Sequence, residues 1–269
     1  MGDWYYLGGL AAGAALLAGR ALIWRKHQDS AADASGLTPV RDLTHVPAAL
    51  QRTALWSLSE GGFERRVLHG VLSRGAEDVD VTAFDLETLR ERRGEWAYLP
   101  VVPPFRIAGT VSIVVCEIDR VFPHCVLKRI GRGDEMRDDD MLERGANIAK
   151  IARDGLGMGR SYPAEMPASL DTVPLEVGLA DHWRAYGRDK APLATLVAGG
   201  FNAALQRADR RDLVIELIDN LVIVYPAARE VVGADAFADL TTTALTIVDG
   251  VLAGSPRITP RGVESRRAG

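Results

Sequence analysis

Residues 111–118 read Val-Ser-Ile-Val-Val-Cys-Glu-Ile and are apolar on both faces of an extended chain. A run of this kind is typical of a strand with protein packed against both of its faces. We therefore predict a strand in the middle of a sheet. Residues 79–83, Val-Asp-Val-Thr-Ala, alternate between apolar and polar side chains, which predicts a half-buried strand. Pro100–Pro104 lies between the two and breaks any helix.

Helical spacing of apolar residues flanks the predicted strands. Val46–Leu58 is apolar at every fourth position, which predicts a short helix that ends at Gly61. Asp138–Asp140 is expected to open an acidic helix that closes at Gly155. A further helix is expected to begin at Pro192. The clearest helix is the last, with apolar residues recurring at intervals of three and four: Phe237, Leu240, Ala244, Val248, Val251 and Leu252.

The second half of the chain also contains strand signals. Pro174–Leu179 is a candidate strand. Leu213–Leu217 and Leu221–Tyr225 flank Asp219–Asn220, a dipeptide that favours turns, which predicts a β-hairpin.

The start of the chain has the pattern of a membrane-spanning helix. Trp4–Trp24 contains one charge, Arg20, and as a helix would reach roughly 31 Å, close to the thickness of the hydrocarbon core. Positive charge follows the segment, so the positive-inside rule predicts an inner-membrane protein with its N-terminus outside and its globular part in the cytoplasm. A cleaved signal peptide and a buried helix of a soluble protein remain alternatives. The predicted anchor residues are Trp4, Tyr5, Tyr6, Arg20, Trp24, Arg25 and Lys26.

These elements predict an α+β fold class, with a single N-terminal transmembrane helix and a mixed α+β globular region of two sub-modules. Gly9 and Gly13 have the spacing at which two membrane helices can associate closely. The expected organisation is an anchor at 1–27, a flexible tether at 28–45, a first module with the central sheet at 46–156, a second module with the hairpin and C-terminal helix at 157–254, and a disordered basic tail at 255–269.

Composition excludes some classes of protein. A net charge of −4 with no basic stripe argues against a nucleic-acid binder. Two cysteines are too few for the disulfide framework of a small secreted protein.

Three clusters are weak candidates for chemistry, and we predict no catalytic, cofactor-binding or metal-binding residue. Cys116, His124 and Cys125 are the nearest approach to a zinc site, but neighbouring strand residues point to opposite sides and no fourth ligand is near. Glycines at 155, 157 and 159 follow a predicted helix and lack the lysine of a phosphate loop. The acidic residues at 135–143 lack the spacing of a calcium loop.

The order of features resembles a bacterial membrane-anchored family catalogued as a domain of unknown function. The residues that carry the likeness are Gly70, Gly75, Thr82–Asp85, Val111–Ile118, Phe122–Pro123 and the segment 174–226 with its hairpin. An acidic insert at 135–155 departs from that pattern. The resemblance implies an α+β fold and membrane anchoring, and it implies no activity.

We therefore expect a membrane-anchored cytoplasmic interaction or regulatory module. It would contact the bilayer through residues 4–24 and a membrane-protein partner or a second copy of itself. The alternative is an enzyme with a cleft for a small molecule or lipid head group between the two sub-modules, near residues 155–174.

Overall fold

The structure is a computed structural model of the chain. It describes most of residues 28–254, with Lys26, and the described ranges are 28–41, 48–57, 62–75, 77–91, 105–130, 166–176, 178–188, 193–194, 196–208, 212–227 and 233–254.

The described part of the chain is dominated by one antiparallel sheet. Its strands are β1 (Thr38–Pro39), β2 (Gly62–Arg74), β3 (Glu77–Glu91), β4 (Phe105–Arg129), β5 (Asp171–Val173), β6 (Trp183–Gly187) and β7 (Leu213–Pro226). The strand order is β1-β2-β3-β4-β6-β5, and β7 pairs with β4 as well. Each pairing among these strands is antiparallel.

Strand β4 is the centre of the sheet because it is paired along both of its edges. One edge pairs with β3 through residues as far as Glu117 and then with β6 from Cys125 onwards. The other edge pairs with β7 from Val114 to Lys128. The prediction of a central strand at 111–118 is thereby confirmed.

Helices cover one face of the sheet, which we call the helical face. They are α1 (residues 28–35), α3 (Asn202–Arg207, preceded by a π-helical turn at Val197–Phe201) and α4 (Ala234–Gly254). Their buried side chains form one apolar cluster with Leu68, Val81 and Val114 of the sheet. The predicted C-terminal helix is confirmed as α4.

The opposite face has its own apolar cluster. It is covered by a 3-10 helix (Ala48–Arg52) and by α2 (Ala54–Ser57), which deliver Leu50 and Leu55 onto Ile113 and Ile223 of the sheet. A short helix is thus confirmed in this part of the chain. Two buried faces explain why β4 and β7 are apolar on both sides.

Helices α3 and α4 approach each other through small residues. A Cβ atom on Gly250 would lie 2.4 Å from Cβ of Ala204, and one on Gly200 would lie 2.8 Å from Cβ of Ala253. This is the close contact that small residues four positions apart allow between two helices. The predicted helix-association pair, Gly9 and Gly13, lies outside the described residues.

The predicted fold class is wrong in its architecture. The structure is mostly antiparallel sheet with an apolar C-terminal helix, and the sheet takes strands from both predicted sub-modules. Because β4 (from 46–156) pairs with β7 (from 157–254) over Val114–Lys128, the two segments form one sheet and both contribute to each of its apolar clusters.

The N-terminal transmembrane helix predicted at Trp4–Trp24 lies outside the described residues and receives no support from the structure. Among the residues that the structure does describe, one helix is long and apolar enough to cross a membrane, and it is α4. Half of its most apolar window is buried inside the protein, against the sheet and α3. Of the predicted anchor residues only Lys26 is described, and it is exposed.

Two further local predictions are corrected. The tether predicted at 28–45 contains α1 and β1, because Ala31 and Ala32 are small enough to bury this helix against the sheet. Gly36, at φ +71°, ends α1 with a hydrogen bond from its N–H to the carbonyl of Ala32. The strand predicted at Pro174–Leu179 is irregular chain and turn between β5 and β6. The acidic helix from 138, the glycine loop and the basic tail lie outside the described residues.

Replacing Gly250 by alanine tests the close packing of α3 on α4. The new methyl group would also stand 3.1 Å from Cα of Phe201, so the helices must separate. We expect a net loss of about 1–2 kcal/mol in the free energy of unfolding, since overpacking exceeds the gain in helix propensity. Chemical denaturation measures it. Gly233→Ala is the control, because nothing lies within 4 Å of a Cβ there. Equal stability of both variants would contradict the packing argument.

Candidate binding cleft

A bulge at the middle of β4 shapes the candidate site. Between two paired positions β4 advances five residues, from Glu117 to Phe122, while β7 advances two, from Leu221 to Asp219. Extra residues on one strand bend it and turn side chains to new directions. Asp219 adopts a left-handed φ of +51°, which aspartate tolerates better than most residues.

The hairpin predicted at Asp219–Asn220 is therefore wrong. Strand β7 runs unbroken from Leu213 to Pro226, and both of its halves pair with β4 rather than with each other. The turn-favouring dipeptide marks a real irregularity, since Asp219 has the backbone conformation of a turn residue. Pairing with the continuous strand β4 keeps β7 extended on both sides of this dipeptide.

A cleft of about 590 Å³ opens beside the bulge. Four elements meet there: β4, β7, the 3-10 helix and the end of β6. Arg52 of the 3-10 helix forms an ion pair with Asp219 across the cleft, and both side chains remain substantially exposed. The lining residues are Gln51, Arg52, Phe122, Pro123, His124, Arg188, Ile218 and Asp219.

A buried polar contact lies below the cleft. Nε2 of His124 is 2.5 Å from Oε1 of Glu216, a side chain with no exposure to solvent. The same oxygen accepts a hydrogen bond of 2.6 Å from the backbone N–H of Ala54, the first residue of α2. The hydroxyl of Tyr225 is 3.4 Å from Oε2. Glu216 therefore fixes both the imidazole ring and the segment that carries Gln51 and Arg52.

The described lining of the cleft is mostly basic and apolar. It has two arginines, a histidine and one carboxylate, and no hydroxyl or thiol is among the described lining residues. Among the described residues no group of three or more histidine, cysteine or acidic side chains could hold a metal ion. An arginine pair beside apolar side chains is suited to an anionic ligand.

The three residues weighed for zinc do not form a site. Cys116 and Cys125 are buried in the apolar cluster of the helical face, whereas His124 lines the cleft on the other side. Burial raises the pKa of each thiol to about 12, so both are protonated at neutral pH. The thiols are core residues.

A second buried polar cluster, under the start of α4, ties the sheet to that helix. Nη2 of Arg66 donates to Oδ1 of Asp85 at 2.9 Å, and the hydroxyl of Ser112 donates to the same oxygen at 2.6 Å. The guanidinium carbon of Arg66 lies 4.5 Å from the ring centre of Phe237. Burial raises the pKa of the Asp85 carboxyl, against the opposing effect of Arg66. We read this cluster as structural, because all of its polar groups face the core.

Sequence reasoning predicted none of the cleft residues as a site. Phe122 and Pro123 stood out only as part of the family resemblance, and Asp219 only as a turn residue. A polar dipeptide inside an otherwise apolar run was the available signal. Arg52, Arg188 and Ile218 carry no local pattern, because the fold brings them together from distant segments.

Comparison with known proteins supports the fold. No protein-family model matches the sequence, and no curated protein is significantly similar to it. A solved structure with a similar fold is that of the mycobacterial trehalose monomycolate transport factor A, TtfA, at a TM-score of 0.51 and 11% sequence identity. The alignment covers 87% of this chain and 97% of that one. At this identity the likeness shows a shared fold.

Cysteine labelling tests the assignment of both thiols to the core. In the folded protein we expect Cys116 and Cys125 to resist a thiol reagent at neutral pH and to react once denaturant unfolds the chain, because the reactive thiolate is suppressed by burial. Val121→Cys is the control, since that position is 65% exposed and should react at once. Rapid labelling of the unsubstituted protein would show that these thiols are accessible.

Substitution of Glu216 tests the support of the cleft. Glu216→Ala removes the hydrogen-bond acceptor of the Ala54 N–H and the partner of the His124 ring. Each buried polar group that loses its partner should lower the free energy of unfolding by about 1–3 kcal/mol. Glu216→Gln keeps an acceptor oxygen and should destabilise the protein far less. Thermal or chemical denaturation compares the two variants. A harmless Glu216→Ala would mean that Glu216 does not hold these elements together.

Proposed function

We propose that this protein is a membrane-associated, non-enzymatic interaction module that binds a membrane-protein partner through the cleft at the β4 bulge. The observation that carries the proposal is the lining of the cleft. It presents arginines and apolar side chains from four elements, and no hydroxyl or thiol is among its described lining residues. Such a surface can bind a partner, and the free energy of binding comes from apolar contact and desolvation.

Membrane association has two supports of different kinds. The helix α4 has the length and composition of a membrane span, although half of its apolar window is packed inside the domain. A solved structure of similar fold is a transport factor for trehalose monomycolate.

The enzymatic alternative has one favourable feature. His124 lines the cleft and contacts the buried Glu216, a pairing that orients general bases in many active sites. The oxygen of Glu216 that contacts His124 also accepts the N–H of Ala54, so the arrangement is explained as the support of the cleft wall. Of the segment near 155–174 that the sequence pointed to, residues 155–165 are outside the described part, and Asp171 of β5 pairs with Gly187, the neighbour of the cleft residue Arg188.

A crosslinked pull-down of the full chain in mild detergent, read by mass spectrometry, tests the proposal. We expect a membrane protein to be recovered with the unaltered chain and largely lost with Arg188→Glu, which reverses a charge at the cleft. Arg207→Glu makes the same charge change at an exposed site on α3, on the helical face, and should retain the partner. Equal recovery with both variants, or no membrane protein at all, would contradict the proposal.

A further inference from the structure

The lining of the cleft has one more arginine than carboxylate, although the protein as a whole is acidic. Its charged lining consists of Arg52 and Arg188 against Asp219, while the whole chain has a net charge of −4. Fixed guanidinium groups in a concave site attract anions and raise their local concentration. The polar amide of Gln51 lies at the same rim.

The ion pair between Arg52 and Asp219 leaves room for a ligand. The side chain of Arg52 is 65% exposed and that of Asp219 is 43% exposed. A guanidinium has five N–H donors in a planar fork, and one carboxylate oxygen occupies only part of them. An incoming phosphate can therefore use the remaining donors of Arg52 together with Arg188.

Asp219 is held in position by its backbone. Its left-handed φ of +51° lies at the bulge, opposite Phe122, and this conformation directs the carboxylate to Arg52. Non-glycine residues in this conformation are concentrated at functional positions. The carboxylate of Asp219 is held against Arg52, so it competes with any anionic ligand for the guanidinium group of Arg52.

Apolar surface lies next to the charge. Phe122, Pro123 and Ile218 form an apolar wall of the same cleft, where Phe122 and Ile218 keep 8% and 6% of their surface exposed. A free inorganic ion makes no use of such a wall, whereas the glycerol and first methylene groups of a lipid do. The combination fits an amphiphile with a negatively charged head.

We propose that the cleft is a site for a phosphate group, carried as the head group of an anionic amphiphile, with Asp219 as a built-in competitor that sets the affinity. This inference goes beyond the proposed function, since it assigns to the same cleft an anionic lipid in addition to a protein partner. Arg52 and Arg188 bind the phosphate, and the wall at Phe122 and Pro123 takes the adjoining apolar part.

The test is calorimetric titration of the full chain with three probes. They are dihexanoyl phosphatidylglycerol as a water-soluble anionic lipid, dihexanoyl phosphatidylcholine as its zwitterionic counterpart, and inorganic phosphate. We expect the first to bind most tightly. Arg52→Gln and Arg188→Gln should each weaken its binding about fivefold, the usual effect of one basic residue near an anionic lipid. Asp219→Asn, which keeps a residue that tolerates the left-handed conformation, should strengthen it.

The opposite signs separate a binding role from a structural one. Loss of either member of a purely structural ion pair would weaken binding, whereas the proposal requires Arg52→Gln and Asp219→Asn to act in opposite directions. The matched controls are Arg74→Gln and Asp249→Asn, which make the same charge changes in an ion pair between β2 and α4. Equal effects of the control and cleft variants would overturn the proposal.

The remaining outcomes assign the source of the phosphate. Inorganic phosphate bound as tightly as the anionic lipid would overturn the head-group assignment and leave a free-phosphate site. Absence of binding by both anions would overturn the inference, while a pull-down partner that still depends on Arg188 would leave the proposed function standing. Lipid binding without recovery of any membrane protein would support the inference and contradict the proposed function.

Discussion

The burial of β4 on both faces and along both edges is the constraint on which the structure depends. Residues 113–116 of this strand have no exposure to solvent. An internal strand in that position has its backbone hydrogen bonds satisfied by three partners, β3, β6 and β7. Strands β3, β6 and β7 pair with β4 directly, β2 and β5 extend the sheet from β3 and β6, and the helices cover the two apolar clusters beside it. The division into two sub-modules fails for this reason.

The cleft follows from the same constraint. A strand of 25 residues that serves two partners in succession along one edge must change its direction, and the bulge between Glu117 and Cys125 makes that change. The bulge turns Phe122, Pro123 and His124 toward the 3-10 helix. Glu216 accepts the N–H of Ala54 and so holds the start of α2, which follows the 3-10 helix. The irregular part of the sheet is consequently the part with a concave, charged surface.

Local patterns predicted the central strand and the C-terminal helix, because both bury a periodic set of side chains. They could not predict that Leu213–Pro226 stays extended, since the Asp219–Asn220 dipeptide favours a turn and only the long partner strand overrides it. The burial of Ala31 and Ala32 could not be predicted either, because small side chains are also typical of flexible segments. Local patterns could not predict the cleft, since Arg52, His124 and Arg188 come from separate segments.

Native-state hydrogen exchange on the full chain tests the central claim, which is that one sheet with β4 as its spine unites both halves. We predict that the amides at 114–117, between β3 and β7, and those at 125–128, between β6 and β7, exchange with the same free energy of opening, equal to that of global unfolding. Exchange of the two sets in separate events of different free energy would contradict the account and restore two independent modules.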